Sequence, residues 1–192
     1  MADIDEAVEV GRRGADLIPD GDPDQIAMLS DLAAALTLRF EREGAALGRR
    51  DLDAAIVTLR RASGATRGGS PEATSIGYSL CTALRIRFEH YGDLADLTES
   101  VSAGREVAAS LLVAGQVHAA AEVTRRAVAG LAAITPGSLT GETAKQCAAS
   151  LTGLASDAAA VALLDEQAGQ TAADRAVLAL GLLEAGRGSW SL

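Results

Sequence analysis

A long internal repeat restricts the fold of this chain more than any other feature of its sequence. The segment ALTLRFE at residues 35–41 returns as ALRIRFE at residues 83–89, so the chain's only two phenylalanines, Phe40 and Phe88, lie 48 residues apart. Further pairs at the same spacing are Leu36 with Leu84, Leu32 with Leu80, and Pro23 with Pro71. Such a period is typical of helical-repeat arrays, in which each unit packs only on its neighbours.

A third copy of the repeat begins in the segment DLTESVSAGRE. Its matches, at an offset of 45 residues, are Asp96 with Asp51, Val101 with Ile56, and Arg105 with Arg60. The shorter offset arises because three more residues separate Phe40 from Leu52 than separate Phe88 from Leu97. We predict a single domain, 1–192, with units at about 3–48, 51–93 and 96–135 and a C-terminal helical pair at 140–187.

Each unit is predicted to contain two helices. Apolar or small residues recur at the three- and four-residue spacing of a half-buried helix. In the first unit these stripes are Ile4, Ala7, Val8, Gly11 and Ala15, and then Leu29, Leu32, Ala33, Leu36 and Phe40. Because later segments keep the helical pattern and no segment alternates like a strand, we predict an all-α fold with about eight helices.

Local signals mark the predicted helix ends. Asp22 and Ser70 each precede a proline and are predicted N-caps, and Gln25 is predicted to complete a capping box with Asp22. Gly44 and Gly92 are predicted to end the second helices of their units. After about residue 110 the strict repeat fades. There we predict a helix within 116–134, a break at Pro136 and Gly137, an Ala-rich helix from Thr140 to about Leu164, and a last helix from about Ala172 with Thr171 as its N-cap.

Charge and cysteine content argue against several functional classes. The formal net charge of −9 opposes binding to nucleic acid, and no stretch concentrates enough Lys and Arg to overcome it. Two cysteines, Cys81 and Cys147, are too few for a disulfide framework or a zinc site. The N-terminal segment is acidic where a signal peptide is basic, and we expect no apolar span of 18 residues. These features predict a cytoplasmic protein that does not bind membranes.

The segment LRIRFEHYGDLADLTESVSAGRE resembles the tetratricopeptide repeats of actinobacterial proteins that end in a CHAT domain, a caspase-like protease domain. The stretch LASDAAAVALL with AADRAVLALGLLEAGRG is similar to the end of the repeat region in such proteins. The resemblance implies a tetratricopeptide-like array, an α-α superhelix. The catalytic His and Cys of that family belong to the protease-like domain, so none is assigned here. Similar repeats also follow signalling ATPase modules.

Three arginines form the candidate binding residues. Arg12, Arg60 and Arg105 occupy equivalent places on successive first helices, and we call them the arginine ladder. First helices line the concave face of tetratricopeptide arrays, so the ladder is predicted to bind carboxylates of an acidic partner peptide. The alternative is a solvated face on which arginines pair with nearby acids, for example Arg13 with Glu9.

No acid/base pair, metal cluster or nucleophile constellation is recognisable, so we predict no enzyme activity, cofactor or metal site. The function predicted first is a protein-interaction scaffold that senses or recruits a partner for an attached or separate effector of the CHAT type. The alternatives are a structural or self-associating repeat domain and the repeat region of a signalling ATPase regulator. The sequence leaves the oligomeric state open.

Overall fold

The computed structural model describes residues 3–132, 141–166 and 170–188, and within these ranges it contains eight α-helices and no β-strand. The helices are α1 Asp3–Leu17, α2 Pro23–Glu43, α3 Ala45–Ala65, α4 Pro71–Tyr91, α5 Leu94–Val113, α6 Val117–Ala132, α7 Glu142–Leu164 and α8 Ala172–Gly188. The all-α prediction is therefore confirmed. The chain divides into two compact units, Met1–Asp96 and Leu97–Leu192. The predicted break at Pro136 and Gly137 lies outside the described residues.

The starts of α2 and α4 repeat the same capping arrangement. The Asp22 carboxylate accepts a hydrogen bond from the N–H of Asp24 at 2.9 Å, and the Ser70 hydroxyl accepts one from the N–H of Ala73 at 3.1 Å. A proline follows each cap, where the missing N–H costs nothing. Both predicted N-caps are confirmed.

The predicted capping box at Gln25 is wrong. The Gln25 amide oxygen accepts from the N–H of Gly21, and its nitrogen donates to the Ile18 carbonyl and the Asp20 carboxylate, both at 2.9 Å. Gln25 is only 1% exposed, so it must satisfy its polar groups inside the protein. The turn between α1 and α2 folds over this side chain and brings those partners closer than the Asp22 N–H.

The second helices end where predicted. Gly44 and Gly92 have positive φ angles of 76° and 74°, and their N–H groups donate to the carbonyls of Phe40 and Phe88. A side chain is disfavoured in this conformation, which explains glycine at both positions. Helix α3 already begins at Ala45, before the predicted start of its unit. The extra residues of this repeat therefore lengthen the helix instead of the loop.

The two phenylalanines of the repeat are both buried, with 2% of Phe40 and 4% of Phe88 exposed. A Cβ built on Gly48, in the early part of α3, would lie 2.5 Å from a ring carbon of Phe40. Helix α3 can therefore cross the Phe40 ring only because residue 48 has no side chain. The other large buried side chains of this unit include Leu29, Leu36, Leu52, Ile56, Leu59 and Leu84.

The second unit is built around the Ala-rich helix α7, which packs against α6 and α8. Its segment Ala144–Leu164 is long and apolar enough to cross a membrane by length and composition, so the expectation of no such span is wrong. Of this apolar window, 44% is buried inside the protein. Core helices pass the same test, and the buried side chains Leu151, Leu154, Ala158 and Val161 give α7 a packing reason to be apolar.

Candidate peptide-binding surface

Two members of the arginine ladder lie on the first unit. Arg12 on α1 and Arg60 on α3 both have exposed side chains. Among the described residues, Arg12 has no ion-pair partner, so its guanidinium donors face water. The placement of both arginines on the solvent side meets the first requirement for a contact with a ligand.

The arginines that follow the ladder residues are engaged within the protein. Arg13 lies 3.5 Å from the Glu9 carboxylate one helical turn earlier. Arg61 contacts Asp20 at 2.7 Å, and this hydrogen bond, with a second from Gln25, lowers the pKa of the Asp20 carboxyl. The solvated-face alternative thus describes Arg13 and Arg61 well, and it leaves Arg12 unexplained.

The third ladder residue, Arg105, lies on α5 in the second unit and already has a carboxylate partner. Its Nε lies 2.7 Å from an Asp157 oxygen on α7, and about half of each side chain is exposed, 44% and 49%. The guanidinium rests on Gly153, where an added Cβ would lie 2.7 Å from one of its nitrogens. Arginine has five N–H donors, so ligand binding at Arg105 would have to use those that Asp157 leaves unbound.

One residue of this surface was missed from the sequence. Val57 lies one turn before Arg60 on α3 and is 63% exposed. The equivalent positions in the other units hold Glu9 and Ser102, which are polar. The repeat alignment therefore contained the signal, because an apolar residue at a solvent-facing repeat position is a departure from the pattern. Val57 and Arg60 together give α3 an exposed stripe with both an apolar and a cationic group.

Two other arginines, Arg39 in ALTLRFE and Arg87 in ALRIRFE, form largely buried ion pairs that the repeat pattern alone does not predict. Arg39 binds Asp51 on the following helix with two nitrogens, at 2.5 and 2.6 Å, and Asp5 on the preceding helix at 3.2 Å. We call this contact and its repeat copy the arginine clasps.

The second clasp repeats the first in every partner. Arg87 binds both carboxylate oxygens of Asp96, at 2.7 and 2.5 Å, and a third nitrogen contacts Asp53 at 2.8 Å. Only 3% of the Asp96 side chain and 18% of Arg87 are exposed. The hydrogen bond to Asp96 raises the pKa of Arg87, and the bond to Asp51 raises that of Arg39, so both remain charged. These arginines hold the helices together and are not available to a ligand.

The described residues offer no recognisable catalytic group. Cys147 is 1% exposed, and its burial raises the pKa of the thiol, which disfavours the reactive thiolate. His118 contacts the Asp165 carboxylate at 2.9 Å on the exposed side of α6. No cluster of three His, Cys, Asp or Glu side chains with the arrangement of a metal site occurs in the described part of the chain.

Comparisons with known proteins do not identify a family. No protein-family model matches the sequence, and no curated protein is significantly similar to it. A solved structure from Podosopora anserina, a kinesin light chain with nearly identical TPR-like repeats, is 18% identical and covers 97% of this chain and 86% of that chain. Its TM-score is 0.37, too low to establish a shared fold, so the fold of this chain rests on its own helices and their contacts.

Proposed function

We propose that this chain is a protein-interaction module that binds an acidic segment of a partner protein on the first helices of its first unit. The observation that carries the proposal is the exposed stripe of α3, where Val57 and Arg60 lie one turn apart. An apolar contact and a charge-assisted contact are the two components that peptide grooves combine. Arg12, at the equivalent place on α1, supplies a second cation.

The acidic nature of the partner follows from the local charge and not from the whole chain. With a net charge of −9 the protein repels anions in general, so binding must come from contacts at Arg12 and Arg60. A desolvated charge-assisted hydrogen bond contributes about 1.5–3 kcal/mol, whereas an exposed pair contributes about 0–1 kcal/mol. Partner residues that cover Val57 would exclude water from Arg60 and move that contact toward the stronger value.

The effector served by this module is proposed from the sequence resemblance. Repeats similar to these accompany caspase-like CHAT domains, so we propose that the module recruits or senses a partner for such an effector in the cytoplasm. The role proposed for the chain is therefore that of a recruitment module.

The test is capture of partners from a lysate of the source cell by the wild-type chain and by an Arg12→Glu/Arg60→Glu variant. We expect the variant to lose most of the captured protein while its helical signal and melting temperature are retained. The matched control is Arg67→Glu/Arg187→Glu, which changes the charge equally at two exposed arginines outside the first helices. Equal capture by all three proteins would assign the ladder to the solvated face. Arg105 is tested separately as Arg105→Gln, because Glu there would face Asp157.

Self-association is a second candidate function, favoured by the outer face of α8. Val177 and Leu180 on this face are 69% and 59% exposed. A helix that is apolar on its outer as well as its inner side is typical of one that packs against a further partner. Sedimentation of the wild-type chain and of Val177→Glu separates the two functions. If the chain self-associates, the assembly mass should fall to that of a monomer in the variant. Partner capture through Arg12 and Arg60 should be unchanged by this variant.

A further inference from the structure

A groove on the first unit, between α2 and α4, carries a proposal that is independent of the arginine ladder. Its volume is about 240 Å³. Leu38 and Tyr78 line it from the two helices and are 51% and 36% exposed, while the buried Leu59 of α3 lies beneath them. The groove therefore presents apolar side chains to solvent on second helices, whereas the ladder lies on first helices.

Two threonine side chains in this groove are already hydrogen-bonded to their own helices. The Thr37 hydroxyl donates to the Ala33 carbonyl at 2.9 Å, and the Thr82 hydroxyl donates to the Tyr78 carbonyl at 3.0 Å. An apolar ligand that covers these threonines would leave neither hydroxyl without a partner. Since the cost of covering an unsatisfied polar group is avoided at these two threonines, this part of the groove can accept apolar surface.

The groove has an acidic lining residue. Glu41 is exposed and lines it, and Asp31 lies on the adjoining exposed edge of α2. Neither carboxylate has an ion-pair partner among the described residues. A ligand that places Lys or Arg near Glu41 would therefore gain a charge-assisted contact that no group of the protein itself now makes.

We propose that the α2–α4 groove binds an amphipathic helix of a partner protein, with an apolar side chain between Leu38 and Tyr78 and a Lys or Arg on Glu41. A helix is the natural occupant because two neighbouring helices bound the groove, and a third helix packs its side-chain ridge into such a space. The preference for basic partners is opposite to that of the ladder. The two surfaces would thus select different segments, and failure of one proposal leaves the other intact.

The experiment uses two designed helical peptides of about four turns, made of Leu and Ala on one face and carrying either Lys or Glu at the flanking positions. Binding of each labelled peptide to the full chain is measured by fluorescence anisotropy. We expect the Lys peptide to bind at least about tenfold more tightly than the Glu peptide. Methyl resonances of Leu38 should shift on addition of the Lys peptide.

Two pairs of variants separate this site from general electrostatic attraction. Leu38→Glu should weaken binding of the Lys peptide about tenfold or more, whereas Leu17→Glu, the same change at an exposed leucine at the end of α1, should not weaken it. Glu41→Lys should reverse the preference between the peptides, and Asp16→Lys, with the same change in net charge, should not. Circular dichroism of each variant confirms that it is folded.

Three outcomes would overturn the proposal. The first is binding of the Lys peptide to Leu38→Glu that is as tight as to the wild-type chain or tighter, because general attraction to an acidic protein does not depend on the leucine side chain. The second is an equal effect of Glu41→Lys and Asp16→Lys on the preference between the Lys and Glu peptides. The third is a dimeric wild-type chain that Leu38→Glu makes monomeric, because a second copy of the chain would then occupy the groove.

Discussion

The two units of this protein differ in the ion pairs that join their helices, although glycine lets helices approach closely in both. In the first unit, largely buried guanidinium groups link successive helices in the clasps of Arg39 and Arg87. In the second unit, small residues let helices approach closely: a Cβ added to Gly186 on α8 would lie 2.6 Å from the Cβ of Ala155 on α7. An ion pair between two helices of that unit, Arg105 with Asp157, is about half exposed.

This difference explains why the repeat is strict in one part of the sequence and faint in the other. A clasp needs an arginine and two carboxylates at fixed positions on three successive helices, so its residues recur at fixed intervals. Close packing of Ala and Gly needs only small side chains on the facing stripe, and many spacings provide them. Close helix packing in the second unit therefore leaves a weaker trace in the sequence.

The most damaging change should be the loss of a clasp arginine. Arg87→Ala leaves the Asp96 carboxylate, 3% exposed, without its two-nitrogen partner. Removal of one member of a buried ion pair typically destabilises a protein by about 3–5 kcal/mol. The free energy of unfolding from urea denaturation measures the effect.

The control for this variant lies two residues away. Arg85 pairs with Glu89 on the surface of the same helix, with 36% and 37% of the side chains exposed, so Arg85→Ala should cost only about 0–1 kcal/mol. The double variant Arg87→Met/Asp96→Leu should recover much of the lost stability, because it removes both charges. Equal costs for Arg87→Ala and Arg85→Ala would show that the clasps do not hold the helices.

The second-largest effect should appear in the second unit at Gly186. Gly186→Ala forces α8 away from α7, because its new Cβ would overlap the Cβ of Ala155. Overpacking of this kind typically costs about 1–3 kcal/mol. Adding Ala155→Gly to the variant should restore part of the lost stability, because it removes the methyl group on α7 that the new Cβ would overlap. If Gly186→Ala were neutral, close helix approach would not be what holds this unit together.

Much of the fold could be predicted from the sequence because its signals are local. The caps at Asp22 and Ser70, the glycines at 44 and 92 and the apolar stripes each depend on neighbouring residues. The partners of Gln25 could not be predicted, since they depend on how the α1–α2 turn folds back. The early start of α3 was missed because inserted residues can lengthen either a loop or a helix.

The candidate surface was less predictable than the fold. The repeat gave the equivalent places of Arg12, Arg60 and Arg105, and their exposed positions agree with a solvent-facing ladder. It did not reveal Asp157, which is 52 residues from Arg105 in a region where the repeat has faded. Whether a side chain faces a ligand or an internal partner depends on how helices distant in sequence pack together, and helical periodicity does not predict that packing.

A smaller effect is expected at the N-cap of α4. Ser70→Ala removes the acceptor for the Ala73 N–H and should cost about 1 kcal/mol, whereas Ser70→Asp should retain most of the stability. Hydrogen bonds from its own N–H and from Ser70 lower the pKa of Glu72 below its ordinary 4.5. The contribution of the ionised Glu72 carboxylate to stability is fully present above pH 4.5, and it is lost as the pH falls through the lowered pKa.

The difference in free energy of unfolding between the wild-type chain and Ser70→Ala should therefore become smaller at acidic pH. An NMR titration should also show the pKa of Glu72 rising in the variant toward its ordinary value. In the second unit α7 begins after Gly141, which offers no side-chain cap, so that helix has no equivalent contact to lose. A pKa of Glu72 that stays unchanged in Ser70→Ala would contradict the hydrogen bond between Ser70 and Glu72.

The smallest predicted effect is a gain in stability at Gly181, in the interior of α8. Nothing lies within 4 Å of a Cβ added there, and alanine is favoured over glycine within a helix, so Gly181→Ala should stabilise the protein by about 0.5–1 kcal/mol. Gly181→Ala and Gly186→Ala are the same substitution in the same helix and differ in the room for the added Cβ. Comparing them therefore separates the effect of close helix approach from that of helix propensity. Gly181 lies beside the exposed Val177 and Leu180, which makes the measurement sensitive to self-association. Melting temperatures measured over a range of protein concentrations should rise in the variant by a constant amount. A gain that turns into a loss at high concentration would mean that another copy packs on this face, and the second unit would then join molecules by the same close approach that joins α7 to α8.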